Sequence, residues 1–257
     1  MGESKLFTNT KLNNMNEDFF TLNSREEVIR FVELLENHEK NRVQIVHNYF
    51  PLVKAYDYLK IKNNSMRSFT SILDIYINFT ILKHDSMKIM GVWNDFFSKD
   101  KLEGGSILDS QVKFSAKMDI HQASSSYILR YRSLWDKIMG FLILFFVPNE
   151  YENFAGAKSR KTAFRKIVEK NQLSTKINTI FNRPYIEVLD EITRFDEIYR
   201  TPEAHGAGAL RKWSLSMQSM LENPSGDLIG YWNVINQIIA NIGNLFDNED
   251  ENIKIDT

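Results

Sequence analysis

From Met118 to Phe146 the chain keeps one helical rhythm, with no proline and only Gly140 inside it. Apolar residues recur at spacings of three and four, which predicts a single long helix. It should end before Pro148, because proline cannot extend a helix and biases the residue before it away from helical angles. Its most apolar part, residues 138–147, covers ten residues. A membrane span needs about twenty, so this run is expected to be buried in protein, with no membrane partner.

The remaining segments carry the same period. Ser24 and Glu27 have the spacing of a capping box, followed by Val28, Ile29, Val32, Leu34 and Leu35 as one apolar face. A second helical stretch is expected from about Asn41 to Phe50, stopped by Pro51, and one or two more from about Met66 to Phe97. KDKLEGGS, within residues 98–110, is a charged, glycine-paired loop and the best boundary in the chain. Further helices are predicted to open near Ser159 and to run at about 184–199, 202–221 and 227–246. Asn223, Pro224, Ser225 and Gly226 turn the chain between the last two. No alternating strand pattern is long enough to count. The expected fold is all-α: an N-terminal helical region (1–115), a helical bundle (116–247) and an acidic, solvated tail (248–257).

Composition removes several classes. The chain has 32 Lys and Arg against 33 Asp and Glu, so any nucleic-acid surface has to be a local patch. Cysteine is absent, which excludes disulfides and thiolate metal sites and suits a reducing cytoplasm. The first twenty residues lack the apolar core of a signal peptide, and Leu6 stands where a myristoylation pattern wants Ser or Thr. Asp74, His84 and Asp85 lack metal-ligand spacing, so neither a metal nor a cofactor is expected. Ser124, Ser125 and Ser126 lie near His121 but lack the strand-turn-helix setting of a nucleophile elbow.

The stretch YRTPEAHG holds Arg200 and His205, with four residues between them. With twelve arginines and five histidines in the chain, about 0.7 such pairs with gaps of four to six arise by chance. Arg42 and His47 form a second match, expected within one helix and therefore about 140° apart on different faces. Around Arg200 the context differs. Thr201 suits an N-cap, Pro202 a first helical position and Glu203 the positive end of the dipole. This pattern predicts a helix start between Arg200 and His205, with both side chains turned toward an anion at the exposed amides. Leu210, Trp213, Met217, Met220 and Leu221 would form the core stripe of the new helix, with His205 facing away from it. Gly206, Ala207, Gly208 and Ala209 would let a substrate or a second subunit come close.

Arg200-Thr-Pro-Glu-Ala-His205, before a late helix of an all-α domain, resembles the Arg-x4-6-His motif of the HEPN superfamily. The longer string YRTPEAHGAGALRKW is similar to a bacterial branch of it. The resemblance covers about residues 118–246. Many members carry Asn or another polar residue directly after the arginine, where this chain has Thr201. The resemblance implies a helical bundle and a metal-independent endoribonuclease that cleaves RNA by attack of a 2′-hydroxyl. It implies His205 in proton transfer, Arg200 in transition-state stabilisation, and a homodimer with a composite site. By analogy it adds a toxin–antitoxin or phage-defence role with a neutralising partner protein. The alternative is a non-catalytic dimer that binds RNA, a nucleotide or a protein.

Other residues are drawn in more loosely. Lys158, Arg160, Lys161, Arg165, Lys166 and Lys170 make a basic run, in which Arg160 and Lys161 are candidate RNA contacts and Phe164 a stacking ring. A solvated helix face with Phe164 in the core explains the same run. Lys212 shares the face of His205, and Arg211 stands beside it. Asp136 is the candidate partner for Arg200 or His205, and an ordinary salt bridge is the plain reading of it.

Overall fold

The computed structural model describes residues 22–42, 49, 51–63, 65–97, 110–205, 208 and 226–246. Every regular element among them is helical. The chain divides into two compact units, Met1–Phe69 and Thr70–Thr257. That division falls within a helix. Linker composition had pointed instead to the glycine-paired loop, whose residues 98–109 lie outside the described ones.

In the first unit, α1 (Arg25–Arg42) starts on the expected capping box. The Ser24 hydroxyl accepts from the Glu27 amide at 3.2 Å, and the Glu27 carboxylate accepts from the Ser24 amide at 3.1 Å. Val28 and Val32 are buried, whereas Leu34 is exposed, because six positions carry it around to another face. Residues 43–48 and 50, which hold most of the expected second helix, lie outside the described residues. Pro51 begins α2 (Pro51–Ala55), where its missing N–H costs nothing, and a π turn follows (Tyr56–Lys62). Tyr56 packs edge-on against Phe69 at 5.2 Å and donates its hydroxyl to the Asn23 carbonyl.

The second unit is organised by two long helices. One is α3 (Met66–Phe96), whose first residues belong to the first unit. The other is α4 (Ser110–Phe146), which starts eight residues before the expected Met118 and ends where predicted. Lys88 pairs with Asp119, Ser126 donates to Asp85, and Lys137 pairs with Asp74. As the number rises on one helix it falls on the other, so they run antiparallel. Burial pushes the Asp85 carboxyl up, while Ser126 and Arg130 draw it back toward its ordinary range.

Residues 138–145 of α4 are buried throughout, as a helix enclosed by protein must be. Gly140 has a packing role, since a methyl group there would press on Phe154. After a 3-10 turn (Pro148–Glu150) come α5 (Tyr151–Ala155) and α6 (Arg160–Lys170), capped by the Ser159 hydroxyl on the Thr162 amide. Then come α7 (Ser174–Phe181), closed by Asn182 in the left-handed conformation, and α8 (Tyr185–Phe195). A second π turn (Asp196–Arg200) runs straight on into α9 (Thr201–Ala204). The last described helix is α10 (Gly226–Asn244). Tyr131 of α4 packs at a tilt against Phe195 at 4.3 Å and meets Tyr231 of α10 at 5.5 Å, and Trp135 meets Phe181 at 6.0 Å. Among the described residues, no helix is long and apolar enough to cross a membrane.

Phe195 is fully buried where α4, the π turn and α10 meet. Phe195→Ala is expected to cost about 3 kcal/mol, read as a lower urea midpoint with an unchanged slope.

Candidate functional site

The expected helix start at Thr201 is absent. Thr201 has helical angles and caps nothing with its side chain; its amide bonds the Asp196 carbonyl five residues back. The helical run therefore continues from Tyr185 to Ala204. Pro202 had looked like a first helical residue because a ring without an N–H fits that position. Here the wide turn just upstream accommodates it inside a continuing helix. His205 is the residue that closes the run, its amide bonded to the Thr201 carbonyl at 3.2 Å. It stands at the carboxyl end, whose dipole does not favour phosphate. On one helical path Arg200 and His205 are about 140° apart, the geometry that had set Arg42 and His47 aside. Both side chains are exposed.

Arg200 instead belongs to a group of charges built from three elements. Arg132 and Asp136 sit one turn apart on α4, their side chains joined at 2.6 Å. Arg160 and Lys161 open α6, whose amide end adds a partial positive charge. Thr193, Asp196 and Arg200 come from α8 and the π turn. The Asp196 carboxylate joins them. Its Oδ2 accepts from Arg132 Nε at 3.1 Å and from Lys161 Nζ at 3.2 Å, and its Oδ1 lies 3.7 Å from Arg200 Nη1. Lys161 also donates to the Thr193 hydroxyl at 2.9 Å, and Arg160 Nη1 stands 3.9 Å from Asp136 Oδ2.

Burial grades the group. The Arg132 and Asp196 side chains are 9% and 16% exposed, those of Arg160 and Arg200 45% and 49%. The inner members are therefore structural and the outer pair can reach a ligand. Tyr131, next to Arg132, is buried, and that burial pushes its phenol far up, so it serves as a neutral wall.

Four residues singled out from the sequence, Arg200, Asp136, Arg160 and Lys161, thus meet in one place. Asp136 pairs with Arg132 and Arg160, and the carboxylate on Arg200 is Asp196. The signal for Asp196 was its position four residues before Arg200 on a helix. Nothing in the sequence tied Arg132 to it across 64 residues. Phe164 is fully buried and cannot stack on a base. Glu203 follows Arg200 by three residues, in the last turn of the run instead of the first. Its carboxylate lies where a side chain at Gly208 would go, so that gap is filled from within the chain. Arg211 and Lys212, the stripe from Leu210 to Leu221, Gly206, Ala207 and Ala209 lie outside the described residues, as does His47. Among the described residues, no three His, Asp or Glu side chains are grouped to hold a metal ion. No family model, curated protein or solved structure matches the chain.

Asp196→Asn should leave Arg132 and Lys161 without their shared charge and cost about 2 kcal/mol in denaturant unfolding. Arg200→Ala, at the exposed end of the same carboxylate, should cost less than about 0.5 kcal/mol.

Proposed function

We propose that this chain is a HEPN-type endoribonuclease that binds RNA phosphates at the Arg200 group and cleaves without a metal, as a homodimer. The observation that carries this reading is the exposed Arg200 guanidinium, which shares Asp196 with Lys161 in an ion-paired group that also holds Arg160, followed five residues later by the exposed His205. In the reaction a 2′-oxygen bonds to the adjacent phosphorus and the bond to the 5′-oxygen breaks. One proton leaves the 2′-hydroxyl and one reaches the departing 5′-oxygen, giving a 2′,3′-cyclic phosphate and a 5′-hydroxyl. Imidazole can make either transfer near neutral pH, and guanidinium can hold two phosphate oxygens as charge builds. One imidazole does not easily serve both transfers. Arg200 and His205 also diverge along one helical path. Both points favour a site completed by a second copy. A defence or toxin role with a neutralising partner follows only from the resemblance.

The same divergence, together with the pairing of Arg200 to Asp196, favours a second reading: a dimer that holds RNA, a nucleotide or a protein without cutting. Incubation of mixed single-stranded and structured RNA in EDTA separates the two. Nuclease action predicts cyclic-phosphate ends from the native chain and from His47→Ala, and losses of at least about 100-fold in His205→Ala and Arg200→Ala. No cleavage by folded dimeric protein would leave the binding reading, and equal cleavage by every variant would remove Arg200 and His205 from the site.

A further inference from the structure

We infer that Arg160 and Arg200 contact phosphate groups of an RNA strand, in a basic subsite held in shape by Arg132, Lys161, Asp136 and Asp196. This inference rests on the proposed RNA-binding function and adds what the group recognises.

The first argument is charge. Arg132, Arg160, Lys161 and Arg200 face two carboxylates, Asp136 and Asp196, so this ion-paired set has an excess of two positive charges. The second is the grading of distances. The inner contacts, at 2.6, 3.1 and 3.2 Å, are hydrogen bonds. The outer ones, at 3.7 and 3.9 Å, are longer than hydrogen bonds. The carboxylates therefore aim Arg200 and Arg160 without using up their donors. Among the described residues neither guanidinium donates a hydrogen bond, and each fork keeps the planar donors that match phosphate oxygens. The third is convergence. Three elements separated in sequence bring these charges together around a nearly buried Arg132. Burying a guanidinium carries a desolvation cost that scattered solubilising charges would not incur.

Tyr131, Phe164 and Phe195 are all buried, so none of these three offers a base a stacking face. The charged contacts at the subsite are to phosphate, indifferent to sequence and sensitive to salt. A 5′-terminal monophosphate and an internal diester present the same chemistry.

The test uses the full chain carrying His205→Ala, so that bound RNA is not cut. Fluorescence anisotropy follows a single-stranded RNA of about twelve nucleotides, with either a 5′-hydroxyl or a 5′-monophosphate, over a salt series. Arg160→Ala should weaken binding and lower the slope of log affinity against log salt by about one. Arg165→Ala, whose charge pairs with Glu169 on the same helix, should leave the slope unchanged. Preference for the 5′-monophosphate that Arg160→Ala abolishes would assign the terminal group, and equal binding of both strands the backbone. Arg160 is exposed, and circular dichroism checks that its variant folds. An unchanged slope in Arg160→Ala, an equal drop in Arg165→Ala, or no binding by folded protein would overturn the inference. Binding with the expected slope change, but no cleavage by the native chain, would keep the subsite and reject only the nuclease.

Discussion

The contact of α4 with the end of α8 and the π turn after it holds the charged group of the second unit together. Tyr131 packs at a tilt on Phe195 at 4.3 Å, and the next residue on each side of this contact, Arg132 and Asp196, forms a charged hydrogen bond at 3.1 Å. The ring pair supplies apolar burial, and the ion pair beside it fixes the rotation of the turn. Lys161 then has a carboxylate to reach, and α6 is tied to both. A buried ion pair is a poor source of net stability, because desolvation offsets much of its attraction. What it supplies here is geometry: Asp196 sets where Arg200 leaves the surface.

The wide turn and Pro202 belong to one problem. A proline inside a helix removes a hydrogen bond and crowds the carbonyl four residues back. The five-residue bond from the Thr201 amide to the Asp196 carbonyl opens the ladder just before the ring, and the helix continues. Asp196 meets α4 and α6 from this turn, while Phe195 is buried and both Phe195 and Tyr199 pack edge-on against Tyr231. A π turn at this place therefore connects the backbone defect to the charge group, in keeping with how such turns are distributed in proteins.

Local rules read well where the residues that decide an element lie within it. Ser24 with Glu27, Ser159 with the Thr162 amide, and the stop before Pro148 each involve groups three or four residues apart, and each was legible. Pro202 was not, because a ring without an N–H reads as a helix start, and only the wide turn before it lets the helix run on.

By itself, the sequence determined an all-α chain, its buried rod, the helix ends near Phe146, Ser159, Pro184 and Gly226, and the charged residue types available. Those properties depend on period, capping and composition, which act over a few residues. Tertiary structure alone decided that Asp196, not Asp136, holds Arg200, that Arg132 stands behind both, and that Phe164 is core. It also decided that Arg200 and His205 lie on one helical run. Such pairings join α4, α6 and the π turn across tens of residues, and only the packing of the rod against its neighbours brings them together.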